Sequence, residues 1–415
     1  MSEELAAALR REAERMGTPL YAYDGDRLAA DAAAIATAFP DPTWTRLYSL
    51  KANGLPGLVE RISEQGFGAN AVSEGELSLA ARAGIPPERT ALEGIGKAES
   101  DLAAAVELAA LGRPLLWVSI ESHDEAAALA DLAARTLTAR DSLDVLIRVN
   151  PAVEPETAEG LAVGRRGSKF GVAPEEIPSV IRAGGGVRWP LRWRGLHVHV
   201  GSQLSSVHAW RSAVADVLGG FAVLSARFST FDTLDVGGGF PAGLDEGPTP
   251  GEFARAFGEA FRRTPWQRRP TRVAIEPGRA VVAGAGWLVA RVLHVRDRTP
   301  PQVVLDAGMT ELIRPALYGA RHPVVALTSM GQDPEGIPQR PTLVEGPVCE
   351  STDRFGEADL PPLERGDLVA VGMAGAYAGA MFSSYNGRVR PPEVLVGGEG
   401  DRTVLRRRGR LADLP

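Results

Sequence analysis

Short apolar runs recur along the first two thirds of the chain, and longer stretches with helical spacing lie between them. The eight short runs have the length and β-branched content of strands and lie at 44–51, 66–72, 89–95, 114–120, 143–150, 193–200, 231–237 and 272–276. The stretches at 74–83, 100–110, 124–134, 174–183 and 209–226 are rich in Ala, Leu and Glu and have the spacing of amphipathic helices. Eight alternating units predict an α/β fold, a (β/α)8 barrel over 26–276.

The pattern changes after residue 276. Short strand-like runs then follow one another between Pro/Gly turns, with little helical spacing, at 287–295, 302–306, 323–327, 342–348, 367–371 and 393–396. They predict a second, mostly β domain, a β-barrel or sandwich, over 277–415. Residues 3–16 are expected to form a helix and 19–23 a strand, with 1–25 packing on the second domain.

Composition and charge narrow the class of protein. A chain of 415 residues with 44% hydrophobic residues can bury two cores, and its net charge of -7 argues against nucleic acid as a partner. The N-terminus lacks the pattern of a signal peptide and no apolar run is long enough for a membrane span, so we expect a cytoplasmic enzyme. The single cysteine, Cys349, excludes an internal disulfide and fits a reducing compartment. The arginines at 406, 407, 408 and 410 are expected to form a solvated terminus.

Lys51 ends the first predicted barrel strand. The run 44–51 alternates apolar and polar residues and then breaks into a turn at Asn53-Gly54. Barrels of this class carry their chemistry at the carboxyl ends of the strands. Most lysines in such a place are ordinary solvated residues, but one in a semi-buried mouth can lose its proton and attack a carbonyl group.

Other reactive groups end other predicted strands. The glycines Gly237 to Gly239 leave the backbone open to an anion such as a phosphate, although a tight turn alone would also need glycine. His197 and His199 are two residues apart and therefore share a strand face. A histidine there can serve the function of the protein, and the alternative is a buried core histidine whose hydrogen bonds are made within the fold. A metal site is not expected, because no nearby cluster in the sequence supplies further ligands. Glu276 is a carboxylate at the barrel mouth and needs a partner if it is buried.

Eight motifs in order resemble a known family. They are Tyr48-Ser-Leu-Lys51-Ala-Asn53, His197-Val-His199-Val-Gly201-Ser202-Gln203, Asp235-Val-Gly237-Gly238-Gly239-Phe240, Glu276-Pro-Gly278-Arg279, Asp306-Ala-Gly-Met309, Ile313-Arg314-Pro-Ala-Leu-Tyr318-Gly, Gly346-Pro-Val-Cys349-Glu350-Ser351 and Gly375-Ala-Tyr377. Together they resemble the pyridoxal-phosphate decarboxylases of the alanine-racemase-like fold and, among these, the diaminopimelate decarboxylases.

The resemblance implies pyridoxal 5′-phosphate as the cofactor. Lys51 would hold it covalently, and Glu276 would keep its pyridine nitrogen protonated so that the ring accepts electrons when CO2 leaves. The other cofactor-binding residues that the resemblance implies are His199, Ser202, Gly238, Gly239, Gly278, Arg279 and Tyr377. Cys349 would return a proton to the α-carbon, although a lone cysteine is usually an inert core residue.

The resemblance also implies a substrate and an assembly. A distal carboxylate of the substrate would be bound by Arg279, Arg314 and Tyr318, because an arginine side chain can donate two parallel hydrogen bonds to a planar anion. Glu350 would take a distal ammonium group and Tyr377 would also touch the substrate, which describes meso-2,6-diaminopimelate, decarboxylated to L-lysine and CO2. Enzymes of the family are homodimers with shared active sites.

Two departures leave alternatives open. Asn70 stands where the family usually has aspartate, which alters the charge near the cofactor. The stretch from Tyr48 to Lys51 is similar to that of decarboxylases from siderophore and natural-product pathways, so a sister enzyme acting on another amino acid with a distal carboxylate is the alternative. A racemase of this fold would require a tyrosine as acid–base partner in place of Cys349. A non-catalytic cofactor carrier would need neither Cys349 nor the pair Arg314 and Tyr318.

Overall fold

The computed structural model describes residues 1–40, 44–157, 159–186, 189–242, 247–328, 338–397 and 402–414. The chain divides into two compact units. The first, called the barrel unit here, comprises chiefly Ala32–Pro241 and Glu246–Gly278, and the second, called the β unit, comprises chiefly Met1–Asp31 and Arg279–Pro415.

Strands and helices alternate along the barrel unit, whereas strands predominate in the β unit. The strands are β1 (Leu20–Asp24), β2 (Trp44–Ser49), β3 (Gly68–Ala71), β4 (Thr90–Leu92), β5 (Trp117–Ile120), β6 (Leu143–Arg148), β7 (Leu191–His197), β8 (Thr233–Asp235), β9 (Arg272–Ile275), β10 (Gly286–Arg296), β11 (Gln302–Leu305), β12 (Val324–Ala326), β13 (Arg340–Glu345), β14 (Arg354–Leu360), β15 (Leu368–Val371), β16 (Glu393–Val396) and β17 (Arg402–Arg406). The α-helices are α1 (Glu3–Met16), α2 (Gly25–Ala38), α3 (Pro56–Glu64), α4 (Glu74–Arg82), α5 (Glu99–Ala110), α6 (His123–Thr136), α7 (Ile177–Ala183), α8 (His208–Ser225), α9 (Pro250–Arg263), α10 (Arg279–Val282) and α11 (Arg314–Tyr318).

Strands β2 to β9 close into a parallel barrel in chain order. Each of the eight apolar runs overlaps one of these strands, so the predicted (β/α)8 barrel is confirmed. Side chains two residues apart share a strand face, so alternate residues of each strand point into the interior. One interior layer is an apolar cluster of Leu47, Ala91, Trp117, Leu146 and Ala274.

Two residues further along, towards the carboxyl ends of the strands, the interior becomes polar. All eight strands contribute, and all the side chains of this layer, called the polar ring here, are buried: Ser49, Asn70, Glu93, Ser119, Arg148, His197, Asp235 and Glu276. Burying polar side chains costs free energy unless they form hydrogen bonds with one another or with a ligand. The polar ring therefore marks this end of the barrel as the functional one.

The β unit is built on a mostly antiparallel sheet with the strand order β14-β13-β11-β10-β1-β16-β17, and β15 pairs with both β10 and β12. Strand β1 lies between β10 and β16, antiparallel to the first and parallel to the second. Helix α1 begins after Ser2, whose hydroxyl accepts a hydrogen bond from Leu5 N–H, and it buries Leu9 and Ala13 against this sheet. The predicted mostly β second domain is confirmed.

Two strands of the β unit were not predicted. Strand β14 is largely polar, and β17 is mostly exposed, so neither has a strong apolar signal; they form by pairing with β13 and β16. The expectation of a solvated arginine terminus is wrong for two residues. Arg406 Nε lies 2.8 Å from Glu393 Oε1, and Arg408 donates hydrogen bonds to the carbonyl oxygens of Met16 and Pro19 at 3.1 and 3.0 Å.

Within the part of the chain that the structure describes, no helix combines the length and apolar character that a membrane crossing requires.

Candidate active site

Lys51 lies at the carboxyl end of β2, in a short 3-10 turn formed by Leu50–Ala52. The Tyr48 hydroxyl donates to the Asn53 carbonyl oxygen at 3.1 Å and so braces this turn. Leu50 and Ala52 take the buried positions, and Lys51 is exposed rather than semi-buried as the sequence argument assumed. The packing of the chain itself therefore does not desolvate Lys51.

His199 and the glycine run lie together beside β7 and β8. The N–H of Gly238 donates to His199 Nδ1 at 3.1 Å, and the N–H of Gly237 donates to Asp235 Oδ1 at 2.8 Å. A Cβ atom on Gly238 would lie 2.5 Å from the Glu276 carbonyl oxygen, so the close approach itself requires glycine. The pKa of His199 lies well below its ordinary value because the ring is desolvated and because Lys51 adds a positive charge. The ring is thus neutral at pH 7.

Ser202 lies in the loop that follows β7. Its N–H donates to the Leu161 carbonyl oxygen at 3.2 Å, and its carbonyl oxygen accepts from Thr157 Oγ1 at 2.6 Å. These bonds fix the backbone of the Ser202 loop in the barrel unit.

Glu276 meets His197 in the polar ring. His197 Nε2 lies 3.2 Å from Glu276 Oε1, and His197 Nδ1 lies 2.8 Å from Ser119 Oγ. Burial lowers the pKa of His197 to about 4, so the imidazole is neutral and its contact with Glu276 is not an ion pair at pH 7. His197 is thus a buried, uncharged histidine that packs against the Glu276 carboxyl group.

Glu93 is a member of the polar ring that the sequence reasoning missed. Its Oε2 accepts from Asn70 Nδ2 at 2.9 Å, and its Oε1 accepts from Trp117 Nε1 at 3.1 Å. Burial first, and the neighbouring Glu276 second, raise the pKa of Glu93 to about 8. The period of two could have found it, because Glu93 lies two residues after the inward-facing Ala91.

The expectation that no further metal-type ligands lie near His197 is wrong. Oxygen and nitrogen atoms of Glu93, His197 and Glu276 all lie within 4.8 Å of one another. The three residues are far apart in sequence and only the closed barrel brings them together. With the pKa of Glu93 at about 8 and that of His197 at about 4, both groups are mainly uncharged at pH 7, which weakens the attraction of this cluster for a cation.

The barrel unit fits pyridoxal phosphate in three respects. Lys51 offers an amine, and Gly239, which ends the Gly237–Gly239 run, is half-buried, so that its backbone can be approached by an anion. Glu276 Oε1 is buried and has no hydrogen-bond partner within the described ranges, so a protonated ring nitrogen would supply the donor that it lacks. A Cβ on Gly278 would lie 3.0 Å from that of Ser49, so this turn of the Glu-Pro-Gly-Arg motif is tightly packed.

The β unit gathers the predicted arginines and tyrosines. The Arg279 guanidinium lies 4.6 Å from the centre of the Tyr377 ring, and Tyr377 has a φ of 56°, which is unusual for a residue other than glycine. Arg314 is buried, and burial followed by the charge of Arg279 lowers its pKa to about 10. Tyr318 is near enough to both arginines to affect their pKa values.

His322 also belongs to this group, which we call the arginine cluster: Arg279, Arg314, Tyr318, His322 and Tyr377. Burial lowers the pKa of His322 to about 4, and both arginines contribute to the shift. No motif marked this residue. Arg314 Nε has no hydrogen-bond partner in the described parts of the chain, so the cluster holds positive charge without an acceptor at that atom.

Cys349 and Glu350 lie on a separate loop of the β unit. Cys349 is an exposed free thiol, which contradicts an inert core role, and Asn386 Nδ2 lies 3.6 Å from its sulfur. The Tyr385 hydroxyl donates to Glu350 Oε1 at 2.9 Å. The described contacts therefore place the predicted substrate residues of the β unit in two groups, this loop and the arginine cluster.

Asp353 holds the Cys349 loop and was not singled out from the sequence. Its buried carboxylate accepts from Met309 N–H at 2.5 Å and from Val348 N–H at 2.6 Å. A Cβ on Gly346 would lie 2.2 Å from Asp353 Oδ1, so the loop can close on the carboxylate only with glycine there. The signal was an aspartate four residues after Cys349, where a short polar side chain can bond neighbouring backbone amides.

Comparison with known proteins agrees with this chemistry. The family model described as "Pyridoxal-dependent decarboxylase, pyridoxal binding domain" matches residues 26–283. The chain is 34% identical to the diaminopimelate decarboxylase of Aquifex aeolicus over 97% of this chain and 91% of that protein. It is 36% identical to that of Deinococcus radiodurans over 98% of this chain and 97% of that protein.

Solved structures agree as well. The structure of diaminopimelate decarboxylase from Helicobacter pylori complexed with L-lysine superposes with a TM-score of 0.87 at 30% identity, over 97% of each chain. The enzyme of the same name from M. jannaschii, also with L-lysine, superposes with a TM-score of 0.86 at 26% identity, over 98% of this chain and 93% of that one.

Proposed function

The chain belongs to the family of pyridoxal-dependent decarboxylases, and on that premise we propose that it converts meso-2,6-diaminopimelate to L-lysine and CO2. Its cofactor is pyridoxal 5′-phosphate, which when bound accepts the electron pair left by the departing CO2. One carbon–carbon bond breaks, and one proton is added to the α-carbon. Relatives with this activity in their names match nearly the full chain, and the related Helicobacter pylori structure holds L-lysine.

The arginine cluster is the observation that supports this substrate. Burial first, and the charge of Arg279 second, lower the pKa of Arg314, and a bound carboxylate would offset both effects. We propose that Arg279, Arg314 and Tyr318 bind the distal carboxylate, and that Tyr377 touches both substrate and cofactor. Glu350 is proposed to accept a hydrogen bond from the distal ammonium group.

The remaining site residues are proposed to serve the cofactor. Lys51 links to it covalently, and Glu276 holds the proton on its ring nitrogen. The neutral ring of His199 offers an aromatic face for stacking. The phosphate is assigned to Ser202, to the backbone of Gly238 and Gly239 and to Tyr377, and Gly278 and Arg279 are proposed as further cofactor-binding residues. Cys349, an exposed thiol, is proposed to return the proton to the α-carbon.

A substrate panel tests the activity. CO2 release from the purified protein with pyridoxal phosphate is measured with meso-diaminopimelate, ornithine, glutamate and citryl-diaminopropionate. We expect meso-diaminopimelate to give the highest kcat/KM. A preference for citryl-diaminopropionate would move the chain to a siderophore branch of the family, and a preference for ornithine would contradict the role of the arginine cluster.

A substitution tests that role directly. Arg314→Gln should lower kcat/KM for meso-diaminopimelate by about 100-fold, because a buried charge-assisted bond to a carboxylate contributes about 3 kcal/mol. Arg321→Gln is the matched control, since Arg321 is exposed and lies in the same stretch. An equal loss in both variants would show a general effect on the β unit rather than on substrate binding.

The two units are proposed to act as domains, with boundaries at 26–276 for cofactor binding and 277–415 for the β domain, and with 1–25 on the latter. The pairing of β1 with β10 and β16 supports the place of the N-terminal residues.

We further propose a cytoplasmic homodimer in which each active site uses Cys349 from the other subunit. The free, exposed thiol is compatible with a reducing compartment. Mixing inactive Lys51→Ala protein with inactive Cys349→Ala protein should restore up to about a quarter of the wild-type activity, since half the dimers are mixed and each has one intact site. No recovery, once subunit exchange is demonstrated, would place Cys349 in its own chain's site.

A further inference from the structure

The arginine cluster draws its side chains from segments that are far apart in the chain. Arg314 and Tyr318 come from α11, and because they are four residues apart they lie on one face of that helix. Tyr377 comes from the segment that follows β15. Its ring centre lies 4.6 Å from the Arg279 guanidinium, and it is near enough to Arg314 to affect the pKa of that residue. Side chains from two segments can bind one carboxylate only if the segments are held in a fixed relation.

His322 joins these two segments. Its Nδ1 lies 2.9 Å from the Gly372 carbonyl oxygen, and the N–H of Gly372 donates to the Pro323 carbonyl oxygen at 2.8 Å. A Cβ on Gly372 would lie 2.9 Å from Pro323 Cγ, so the segments also pack closely at this point. His322 comes four residues after Tyr318, and Gly372 comes five residues before Tyr377. The hydrogen bond therefore connects the end of the α11 segment to the beginning of the Tyr377 segment.

The partner of Nδ1 shows where the ring of His322 carries its proton. A carbonyl oxygen can only accept a hydrogen bond, so Nδ1 is the donor. His322 Nε2 is buried and has no hydrogen-bond partner in the described ranges. A proton on Nε2 as well would create a buried cationic donor without an acceptor, close to two arginines, so the uncharged ring is the favoured form. Burial, as the first cause, lowers the pKa of His322 to about 4, which agrees with this form.

Charge limits which side chain can make this connection. A carboxylate at position 322 would pair with the arginines and compete with a carboxylate of the substrate, and a lysine or arginine would add a third positive charge. A neutral side chain with an N–H donor avoids both effects, as the Nδ1–H form of histidine does. His322 thus joins the two segments and leaves the charge of the cluster to a ligand.

We propose that His322 is a positioning residue for the subsite of the distal carboxylate: through its hydrogen bond to the Gly372 carbonyl oxygen it holds Arg314 and Tyr318 in register with Tyr377. This rests on the proposed function, in which Arg279, Arg314 and Tyr318 bind that carboxylate. His322 acts through these side chains and does not touch the substrate. Its loss should weaken recognition of the distal carboxylate and leave the cofactor in place.

Two amides at position 322 test the place of the donor. The side-chain N–H group of asparagine reaches about as far as Nδ1 of histidine, whereas that of glutamine reaches about as far as Nε2. His322→Asn therefore keeps a donor for the Gly372 carbonyl oxygen, and His322→Gln moves the donor away from it. His294→Asn and His294→Gln are the matched controls, since His294 is exposed on β10.

L-lysine and cadaverine are the probes. Decarboxylation of one end of meso-diaminopimelate leaves the other carboxylate on L-lysine, and cadaverine is the same diamine without that carboxylate. The inhibition constant of cadaverine divided by that of L-lysine, measured on each holoenzyme, thus isolates the contribution of the distal carboxylate. The values of kcat and KM for meso-diaminopimelate, the absorption spectrum of the bound cofactor and Tm are measured on the same proteins.

The expected change is confined to the distal carboxylate. In His322→Gln the inhibition constant of L-lysine should rise about ten-fold, whereas that of cadaverine should change by less than about two-fold. KM for meso-diaminopimelate should rise by a similar factor with kcat unchanged, because the distal carboxylate is bound equally before and during the reaction. The cofactor spectrum should stay as in wild type. His322→Asn should restore the inhibition constant of L-lysine to within about three-fold of the wild-type value.

Three results would overturn the proposal. They are a wild-type inhibitor ratio in His322→Gln, an equal weakening of both inhibitors in that variant, and the same loss of the ratio in His322→Asn as in His322→Gln. If His322→Gln does not fold, His322→Leu takes its place, because leucine has the shape of asparagine without the donor. A merely structural role would lower Tm in the variants without moving the inhibitor ratio.

Failure of the proposed function gives a different result. If the wild-type protein releases no CO2 from meso-diaminopimelate, or binds cadaverine as tightly as L-lysine, the substrate assignment fails whatever the variants do. Urea unfolding then still compares the hydrogen bond itself, since His322→Asn should be more stable than His322→Gln while the two His294 variants remain alike.

Discussion

Substitution of Asp353 should release the loop that carries Cys349. Each carboxylate oxygen accepts one backbone N–H, from Met309 and from Val348, and the side chain is 3% exposed. A hydrogen bond to a charged acceptor contributes about 1.5–3 kcal/mol, so the two bonds contribute about 3–6 kcal/mol. Burial opposes this, because desolvation raises the pKa of Asp353 more than the two bonds lower it.

The net contribution of Asp353 to the free energy of unfolding is therefore smaller than the sum of its two hydrogen bonds. Asp353→Asn keeps one acceptor, turns an amide N–H towards the other backbone donor and avoids the cost of burying a charge, so we expect a loss of about 2 kcal/mol. That corresponds to a fall in Tm of about 4–8 °C. Asp353→Ala leaves both donors without a partner and should cost about 3 kcal/mol.

Cys349 provides a direct readout of the loop, because it is the only cysteine in the chain and is exposed. The rate of its reaction with a thiol reagent should change several-fold in Asp353→Asn, and kcat should fall, while the cofactor spectrum stays as in wild type. Asp359→Asn is the control, since Asp359 is exposed on β14. Wild-type Tm and wild-type thiol reactivity in Asp353→Asn would refute the reasoning.

Three other perturbations test the remaining contacts. Borohydride reduction of the holoenzyme should fix the cofactor on Lys51, and peptide mapping that finds it on another lysine would contradict the site. Glu276→Gln should retain the cofactor yet lower kcat by at least about 100-fold, because a neutral amide cannot hold the ring proton; a rate near wild type would remove Glu276 from this role. His322 has its pKa lowered to about 4 from 6.5, so its stabilisation is complete above pH 6.5 and is lost as the pH falls towards 4, by about 3 kcal/mol. Urea unfolding at several pH values should show that His322→Gln weakens this acid sensitivity, whereas the exposed His294→Gln leaves it unchanged.

The alternation of apolar runs was sufficient to predict the barrel and the β-rich second half. The local pattern of apolar and polar residues predicts these elements because each barrel strand buries both faces and each helix buries one face, whatever the details of packing. The short motifs likewise marked Lys51, His199 and Glu276, because each ends a strand and the carboxyl ends of parallel strands meet at one end of a barrel.

Only the tertiary structure decided how the polar groups combine. Glu93 meets Asn70, Trp117 and Glu276 across four strands, and no local pattern records a contact between residues so far apart along the chain. Asp353 and His322 act through backbone groups and charges that reach them from other segments. The exposure of Lys51 was also beyond prediction, since it depends on which residues of a three-residue turn face the interior. Sequence spacing determined which face of a strand each residue occupies, whereas burial, protonation and partners depend on elements that only folding brings together.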